Sequence, residues 1–395
     1  MYKKPADAHQ AKLAPATRIA HGGLDPSAFH GFVNPPVVHA STVLYPDIQG
    51  TIDRTQPYTY GSSGTPTTDA LRALVLELEE AEDCVLTPTG RAANACALAA
   101  LVKPGDHVIV LDNVYFPTRK FCDGFLTRFG VTTTYVDPLD HGAVAAALEM
   151  PTAVVFLEAP GSQTFEVPDI PHLATMAREA GATTIMDNTW ATPLYFQPIA
   201  HGIDISIQSA TKYFGGHSDL LMGTVSGNGE PMAKVRAAWQ DLGLHVGPED
   251  VFLTMRGIRT LDVRMERHAR NARIVSEWLS GNPLVHRVLY PALPGAPGHE
   301  MWKRDFKGAS GLLGITFKDR TREEVIRFID GLALFGIGYS WGGFESLATL
   351  APMPSLRSAT TWPEDEAVVR LHIGLEDPGD LIADLDNSLK AAFAA

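Results

Sequence analysis

Thr183-Thr184-Ile185-Met186-Asp187-Asn188-Thr189-Trp190 opens the stretch that decides the fold, and Asp204-Ile205-Ser206-Ile207-Gln208-Ser209-Ala210-Thr211-Lys212-Tyr213 continues it. Each half starts as an apolar, β-branched run and ends in polar residues: Asp187 in the first, Ser209, Thr211 and Lys212 in the second. A small-residue loop, Gly215-Gly216-His217-Ser218-Asp219, then leads to Met222-Gly223. Short apolar runs bounded by turn residues read as buried strands. In a parallel sheet, ligands sit beyond the carboxyl ends of the strands. Asp187 and Lys212 are 25 residues apart and can therefore face one site.

A carboxylate that keeps a pyridinium nitrogen protonated and a lysine that forms a Schiff base are what pyridoxal phosphate chemistry requires. Ser209 and Thr211, two apart and just ahead of Lys212, offer hydroxyls to a phosphate. A lone lysine is ordinarily a solvated surface group. The conjunction with Asp187, the hydroxyl pair and the glycine-rich loop is what points to a cofactor.

Upstream, Thr87-Pro88-Thr89-Gly90 leads into a small-residue helix from Arg91 to Leu101. A glycine-led helix start aims backbone N–H groups outward, a suitable cradle for phosphate. Strands are expected at His107–Leu111, Val131–Val136 and Ala153–Leu157, and helices at Thr118–Phe129, Val144–Leu148 and Ile170–Ala180. This alternation predicts an α/β fold with a mostly parallel, doubly wound sheet. Still earlier, Thr65 as N-cap and Pro66 at the first helical position start a helix whose buried face carries Leu71, Leu74, Val75 and Leu78. Residues 1–60 show little periodicity and many turn formers, and read as an arm lying across a neighbour. Residues 61–255 form the expected large domain and 256–395 a smaller α+β C-terminal domain. In the latter, the helix Thr260–Leu279 carries an Arg/Glu-rich face that reads as solvated surface or subunit contact. Strands follow at Val285–Tyr290, Leu312–Phe317 and Val368–Ile373, with helices at Glu323–Phe328 and around Leu381, Ile382, Leu385 and Leu389.

Composition bounds the function. With 45% apolar residues in 395, the chain can bury a large core, and its net charge of −13 argues against nucleic acid and anionic membranes as partners. Cys84, Cys96 and Cys122 lack metal-ligand spacing and cannot all pair, so reduced thiols and no metal are expected. The start has no apolar signal region and no 18-residue apolar run occurs; a cytoplasmic location is expected. No Gly-x-Gly-x-x-Gly follows a strand, and neither a P-loop nor a His-Glu-x-x-His pattern is present. This counts against a nicotinamide-dependent oxidoreductase.

Three further pieces would complete an amino-acid site. Tyr115, just after a strand, sits where a ring could stack on the cofactor. Arg370, inside an otherwise apolar strand, is costly to bury without an anion, and either a substrate carboxylate or a structural salt bridge would serve. Ser340 and Trp341, in a Gly-flanked turn, either contact Lys212 or the substrate or simply pack. In this order the pieces resemble the Cys/Met-metabolism family of pyridoxal-phosphate-dependent enzymes, of aspartate-aminotransferase-like (type I) fold. Ser340-Trp341-Gly342-Gly343 and Arg370-Leu-His-Ile-Gly-Leu-Glu-Asp377 are most similar to the cystathionine β-lyase branch.

The resemblance implies that Lys212 carries the cofactor as a Schiff base, Asp187 pairs with the pyridinium and Tyr115 stacks on the ring. It implies that Gly90, Arg91, Ser209 and Thr211 contact the phosphate, with Tyr60 lent by a neighbouring subunit, and that Arg370 clamps the α-carboxylate. Lys212, Tyr115 and Ser340 become the catalytic set, with Trp341 and Tyr60 beside the substrate. A homotetramer built from dimers is implied as well. The chain departs from the pattern at Ser62 and Ser63, where the family usually has arginines, at Lys120, often acidic in the lyases, and at Arg91, usually neutral. The expected activity is elimination from Cβ or Cγ of an amino acid. C–S cleavage of cystathionine comes first; a γ-lyase on an amino acid such as canavanine, or a related sulfhydrylase or γ-synthase, is the alternative.

Overall fold

Valine and isoleucine fill the strands because both faces of a parallel sheet are covered, and continuous apolar runs are what such burial demands. In a computed structural model that describes residues 13–353 and 355–393, these runs form β1 (Asp83–Thr87), β2 (His107–Leu111), β3 (Thr132–Val136), β4 (Val154–Glu158), β5 (Thr183–Asp187), β6 (Ile205–Gln208) and β7 (Gly223–Gly227). Their order across the sheet is β1-β7-β6-β5-β4-β2-β3. All neighbours from β6 to β3 are parallel, and β7 runs antiparallel to both β6 and β1. The helix Gly90–Leu101 covers β5, β6 and β7, Pro66–Glu79 covers β1 and β7, and Ile170–Glu179 packs on β5.

A second sheet follows: β8 (Arg287–Leu289), β9 (Leu312–Lys318), β10 (Gly336–Ile337), β11 (Leu347–Ala351) and β12 (Glu366–His372), in the order β10-β11-β12-β9-β8. It is antiparallel except for the β10–β11 pair. One apolar core runs through both sheets, from Val108 and Ile185 to Ile315 and Val369. A second gathers the helix Pro66–Glu79 with Tyr213, Phe214 and Met265. Tyr213, fully buried, also accepts the Gly311 N–H at 2.9 Å. The residue after Lys212 is thus anchored in packed interior.

Several sequence expectations change in detail. The helix expected at Thr118–Phe129 begins at Phe116, and its second half, Phe121–Leu126, is wound as a π-helix. Within the described part of the arm lie two short α-helices, Pro15–His21 and Ile48–Asp53, and a 3-10 turn, Pro26–Phe29; residues 1–12 lie outside the described residues. The strand expected at Val285–Tyr290 shrinks to Arg287–Leu289. Strands β7 and β11 were hidden by their composition, Gly-Thr-Val-Ser-Gly and Leu-Ala-Thr-Leu-Ala. Pairing and burial decide such cases over intrinsic preference. The Arg-rich face of the long helix, here Leu261–Ser280, is not wholly solvated: Arg264 is buried and donates to the carbonyls of Tyr213 and Gly257, each at 2.8 Å.

Glu79 ends the helix Pro66–Glu79 deep in the core, where its Oε1 accepts Gln208 Nε2 at 3.0 Å. Burial pushes its carboxyl from 4.5 up to about 7. The folded chain then holds a proton that the unfolded chain releases, so this stabilising contribution is complete below about pH 4.3 and is lost as pH rises through about 7. Glu79→Gln keeps the acceptor and removes the titration. The variant should melt above the parent at pH 8, with the gap closing at pH 5. A gap equal at both pH values would remove the assignment.

Candidate active site

The parallel order brings the ends of β4, β5 and β6 side by side, with Glu158 and Asp187 register partners at the last positions of β4 and β5. A cavity of 430 Å³ opens beyond them. Its walls include Gly90, Arg91, Tyr115, Asp187, Ser209, Thr211, Lys212, Ser340, Trp341 and Arg370. Most of the expected set therefore lies in one pocket beyond the strand ends. A larger open cleft, 870 Å³, lies between the helices Pro15–His21 and Pro66–Glu79 and holds none of these groups.

Lys212 sits at the centre. Its Nζ donates to Ser340 Oγ and lies 5.2 Å from the centre of the Trp341 ring. Burial, then the Arg370 charge, pulls the amine down to about 7, with Asp187 opposing. Ser340 has φ 77°, the left-handed region that a side chain enters at a cost. Two bonds hold that turn: Arg370 Nη2 donates to the Ser340 carbonyl at 3.0 Å, and the Gly342 N–H donates to His372 Nε2 at 3.1 Å. Gly342 is required there, since a Cβ would stand 2.9 Å from the Lys212 carbonyl carbon. His372 and its neighbour His268 are buried and pushed down, His268 to about 4, which keeps both neutral.

Asp187 is buried and accepts only neutral donors: Thr189 Oγ1 at 2.5 Å, Thr189 N–H at 3.1 Å and Asn94 Nδ2 at 3.3 Å. Burial raises its carboxyl despite these bonds. Among the described residues it has no ion-pair partner. A buried carboxylate in this state fits a cationic ring nitrogen. Arg370 is its mirror image: buried, bonded only to the Ser340 carbonyl, with Nε unpartnered and no carboxylate in contact among the described residues. The structural salt bridge considered for it is thus not formed there.

The end of the cavity expected to receive a phosphate is formed by the start of the helix Gly90–Leu101. Thr89 caps it through the Ala92 N–H at 3.0 Å, and its first residues, Gly90 and Arg91, line the cavity, where a helix N-terminus offers N–H groups without intrahelical partners. A Cβ at Gly90 would stand 2.4 Å from Ser209 Oγ, so glycine is needed for the close approach of these two walls. Thr211 Oγ1 donates to the Met222 carbonyl at 3.2 Å and accepts the Met222 N–H at 3.0 Å, so its hydroxyl proton reaches a phosphate only by leaving that carbonyl. Arg91 lines the cavity without an ion pair among the described residues, and its charge acts on the Tyr115 phenol. These residues fit pyridoxal phosphate at both ends.

Tyr60 is 53% exposed and lies outside this cavity within its own chain. Ser62 and Ser63 line a separate crevice with Arg72 and Arg236. Lys120 is exposed and does not line the site, because it faces outward from the short helix Phe116–Lys120. Glu158, not among the expected residues, joins the site: its Oε2 accepts the Tyr115 N–H at 2.6 Å, and burial and Asp187 raise its carboxyl well above its ordinary value. The same strand-end rule that singled out Asp187 applies to it. Asn94, Thr189 and Gln163 were also missed, and only three-dimensional neighbourhood identifies them.

The family of Cys/Met metabolism PLP-dependent enzymes matches residues 16–390. A protein of Rhizobium johnstonii named as a putative cystathionine β-lyase is 48% identical over 96% of this chain and 96% of its own length. Cystathionine β-lyase of Escherichia coli (strain K12) is 40% identical over 94% of this chain and 96% of its own. Among solved structures, cystathionine γ-synthase from Xanthomonas oryzae pv. oryzae, in complex with aminoacrylate and cysteine, superposes with a TM-score of 0.90 at 31% identity, covering 97% of this chain and 99% of that one. The chain belongs to the Cys/Met metabolism family and has its type I fold. It is a pyridoxal-phosphate-dependent enzyme of the lyase group. No helix among the described residues is long and apolar enough to cross a membrane.

Proposed function

We propose that the protein cleaves the Cβ–S bond of an L-amino-acid thioether of the cystathionine type. The observation that carries this is one cavity holding a buried amine, a buried carboxylate without a cation and a buried guanidinium without an anion. When bound, pyridoxal phosphate supplies the electron sink for the carbanion formed at Cα. Lys212 would hold the cofactor, with Asp187 at the ring nitrogen, Tyr115 over the ring, and Gly90, Arg91, Ser209 and Thr211 about the phosphate. Tyr60 of a second copy is the expected addition in a dimer or tetramer.

Arg370 orients the substrate by its α-carboxylate, which sets the Cα–H toward the Lys212 amine. An amine with a pKa of about 7 is poised to take that proton near neutrality. Ser340 Oγ keeps it aimed. The protonated amine then gives the proton to the departing sulfur, which leaves with the electron pair of the broken Cβ–S bond. The names of the relatives support sulfur as the leaving atom.

A second reading follows from Ser62 and Ser63, which stand in the sequence where the resemblance implies arginines and so, presented by a second copy as expected for Tyr60, would bring no guanidinium of their own to a distal carboxylate. It gives the enzyme an amino acid with a neutral or cationic far end, such as canavanine, by elimination at Cγ. Measuring kcat/KM side by side for cystathionine, canavanine, methionine and O-acetylhomoserine separates the two. Cystathionine should lead and reach the ~10⁴ M⁻¹s⁻¹ at which typical enzymes begin. A lead for canavanine would replace the first reading by the second.

A further inference from the structure

Asp112, just beyond β2 and three residues before Tyr115, is buried and takes no part in the chemistry above. Its carboxylate collects bonds from a distant segment. The N–H groups of Ser358, Ala359 and Thr360 donate to it at 3.0, 3.1 and 2.8 Å, and Thr360 Oγ1 donates at 2.7 Å. Three successive N–H groups converging on one anion form a backbone nest. Arg119 pairs with the same carboxylate, donates to Ser358 Oγ at 2.8 Å and lies over the Tyr135 ring at 3.6 Å. Burial pushes the Asp112 carboxyl up, yet the Thr360 hydroxyl and the three N–H groups outweigh it and hold the group below its ordinary range.

The adjacent residue makes a second attachment. Arg357 donates to Thr164 Oγ1 and to Glu166 Oε1, the latter at 2.8 Å, and both side chains of that ion pair are almost wholly buried. Thr164 and Glu166 flank Phe165, which with Pro160–Gln163 lines the cavity. The two receiving loops are themselves bonded: the Ser162 N–H donates to the Asn113 carbonyl at 2.8 Å. Segment 357–360 connects β11 to β12, and β12 carries Arg370. Four consecutive residues therefore join the sheet that holds Arg370 to both loops that flank the cofactor end of the cavity.

We propose that Asp112 is a positioning residue, which by binding the 358–360 nest sets Arg370 at its working distance from Tyr115 and Lys212. Arg357, through Glu166, is the second half of the same clasp. The proposal rests on Arg370 receiving the α-carboxylate. A buried charged pair with a nest is expensive to break, so weakening it shifts the chain from this clasped arrangement toward a released one. Substrate binds the clasped arrangement. If release leaves that arrangement a tenth populated, apparent affinity falls about tenfold, whereas saturating substrate refills it and kcat changes little.

The test uses the cofactor-loaded enzyme with Asp112→Asn, Thr360→Val and Arg357→Gln. L-alanine, which has the α-carboxylate but no leaving group, is titrated by the absorbance of the cofactor. Asp112→Asn should raise the alanine dissociation constant and the substrate KM about tenfold, with kcat within about threefold and cofactor affinity unchanged. Arg357→Gln should shift both in the same direction. The amides of 358–360 should exchange hydrogen faster in Asp112→Asn. Faster exchange or a lower Tm with unaltered alanine affinity would make the clasp structural only and overturn the proposal. If Asp112→Asn fails to fold, Thr360→Val and Arg357→Gln decide on the same readouts. Unaltered alanine affinity in Arg370→Ala would also overturn it, whereas failure of the cystathionine reading alone would leave every alanine result in place.

Discussion

Replacing Lys212 by alanine is expected to cost at least about 10³-fold in turnover, because one side chain serves as cofactor anchor and as the base at Cα. The protein should still fold. Lys212 is followed by Tyr213, whose ring and hydroxyl bind the backbone into the interior independently of the amine. Borohydride reduction of the cofactor-loaded wild type should leave the cofactor on the peptide containing Lys212, and recovery of unmodified Lys212 would refute the assignment. A second consequence concerns the apoprotein. Its Lys212 amine is held near pKa 7 against an ordinary 10.5, chiefly by burial. The unfolded chain binds a proton over that window which the folded chain does not, so stability rises with pH between about 7 and 10.5. Lys212→Met should flatten the rise, as thermal melts of the two apoproteins at several pH values would reveal.

How much of this site was legible in the sequence follows from what local pattern encodes. Asp187 and Lys212 were readable because each terminates a buried run, and a parallel sheet delivers such ends to one edge. Thr65 was readable because a cap is a local bond: its Oγ1 accepts the Thr68 N–H at 3.3 Å. Glu158 was overlooked although its strand ends on the same edge, since a lone glutamate after Ala153–Leu157 carries no partner in the linear sequence. The clasp at Asp112 could not be read at all. Apart from Arg119, its donors lie some 246 to 248 positions away and are mostly backbone N–H groups, which every residue except proline possesses. Arg91 shows the opposite case. Its unusual position was visible in the sequence, but its approach to Tyr115 and its lack of an ion pair among the described residues needed coordinates. Tyr60 and Ser62 were placed by resemblance, and a single chain leaves them outside the cavity.

Arg370→Ala carries the second large effect. The guanidinium is buried, holds one bond to the Ser340 carbonyl and leaves Nε unpartnered. Its charge is therefore available to a carboxylate, and losing one partner of such a desolvated pair costs about 2–5 kcal/mol. In kcat/KM that is roughly a 30- to 4,000-fold decrease. Arg370→Lys should recover only part, because an ammonium cannot present the planar fork that grips a carboxylate in two bonds. The substitution also has an electrostatic signature that a packing residue would lack. After burial, the Arg370 charge is the next cause of the low Lys212 pKa. Removing it removes a repulsion, so the Lys212 amine of the apoprotein should titrate above 7 in Arg370→Ala. Capture of the cofactor requires the neutral amine, so the pH midpoint of the capture rate should move to higher pH in this variant. An unchanged kcat/KM would take the carboxylate role away from Arg370. A weakened kcat/KM with an unmoved midpoint would mean that its charge does not reach Lys212.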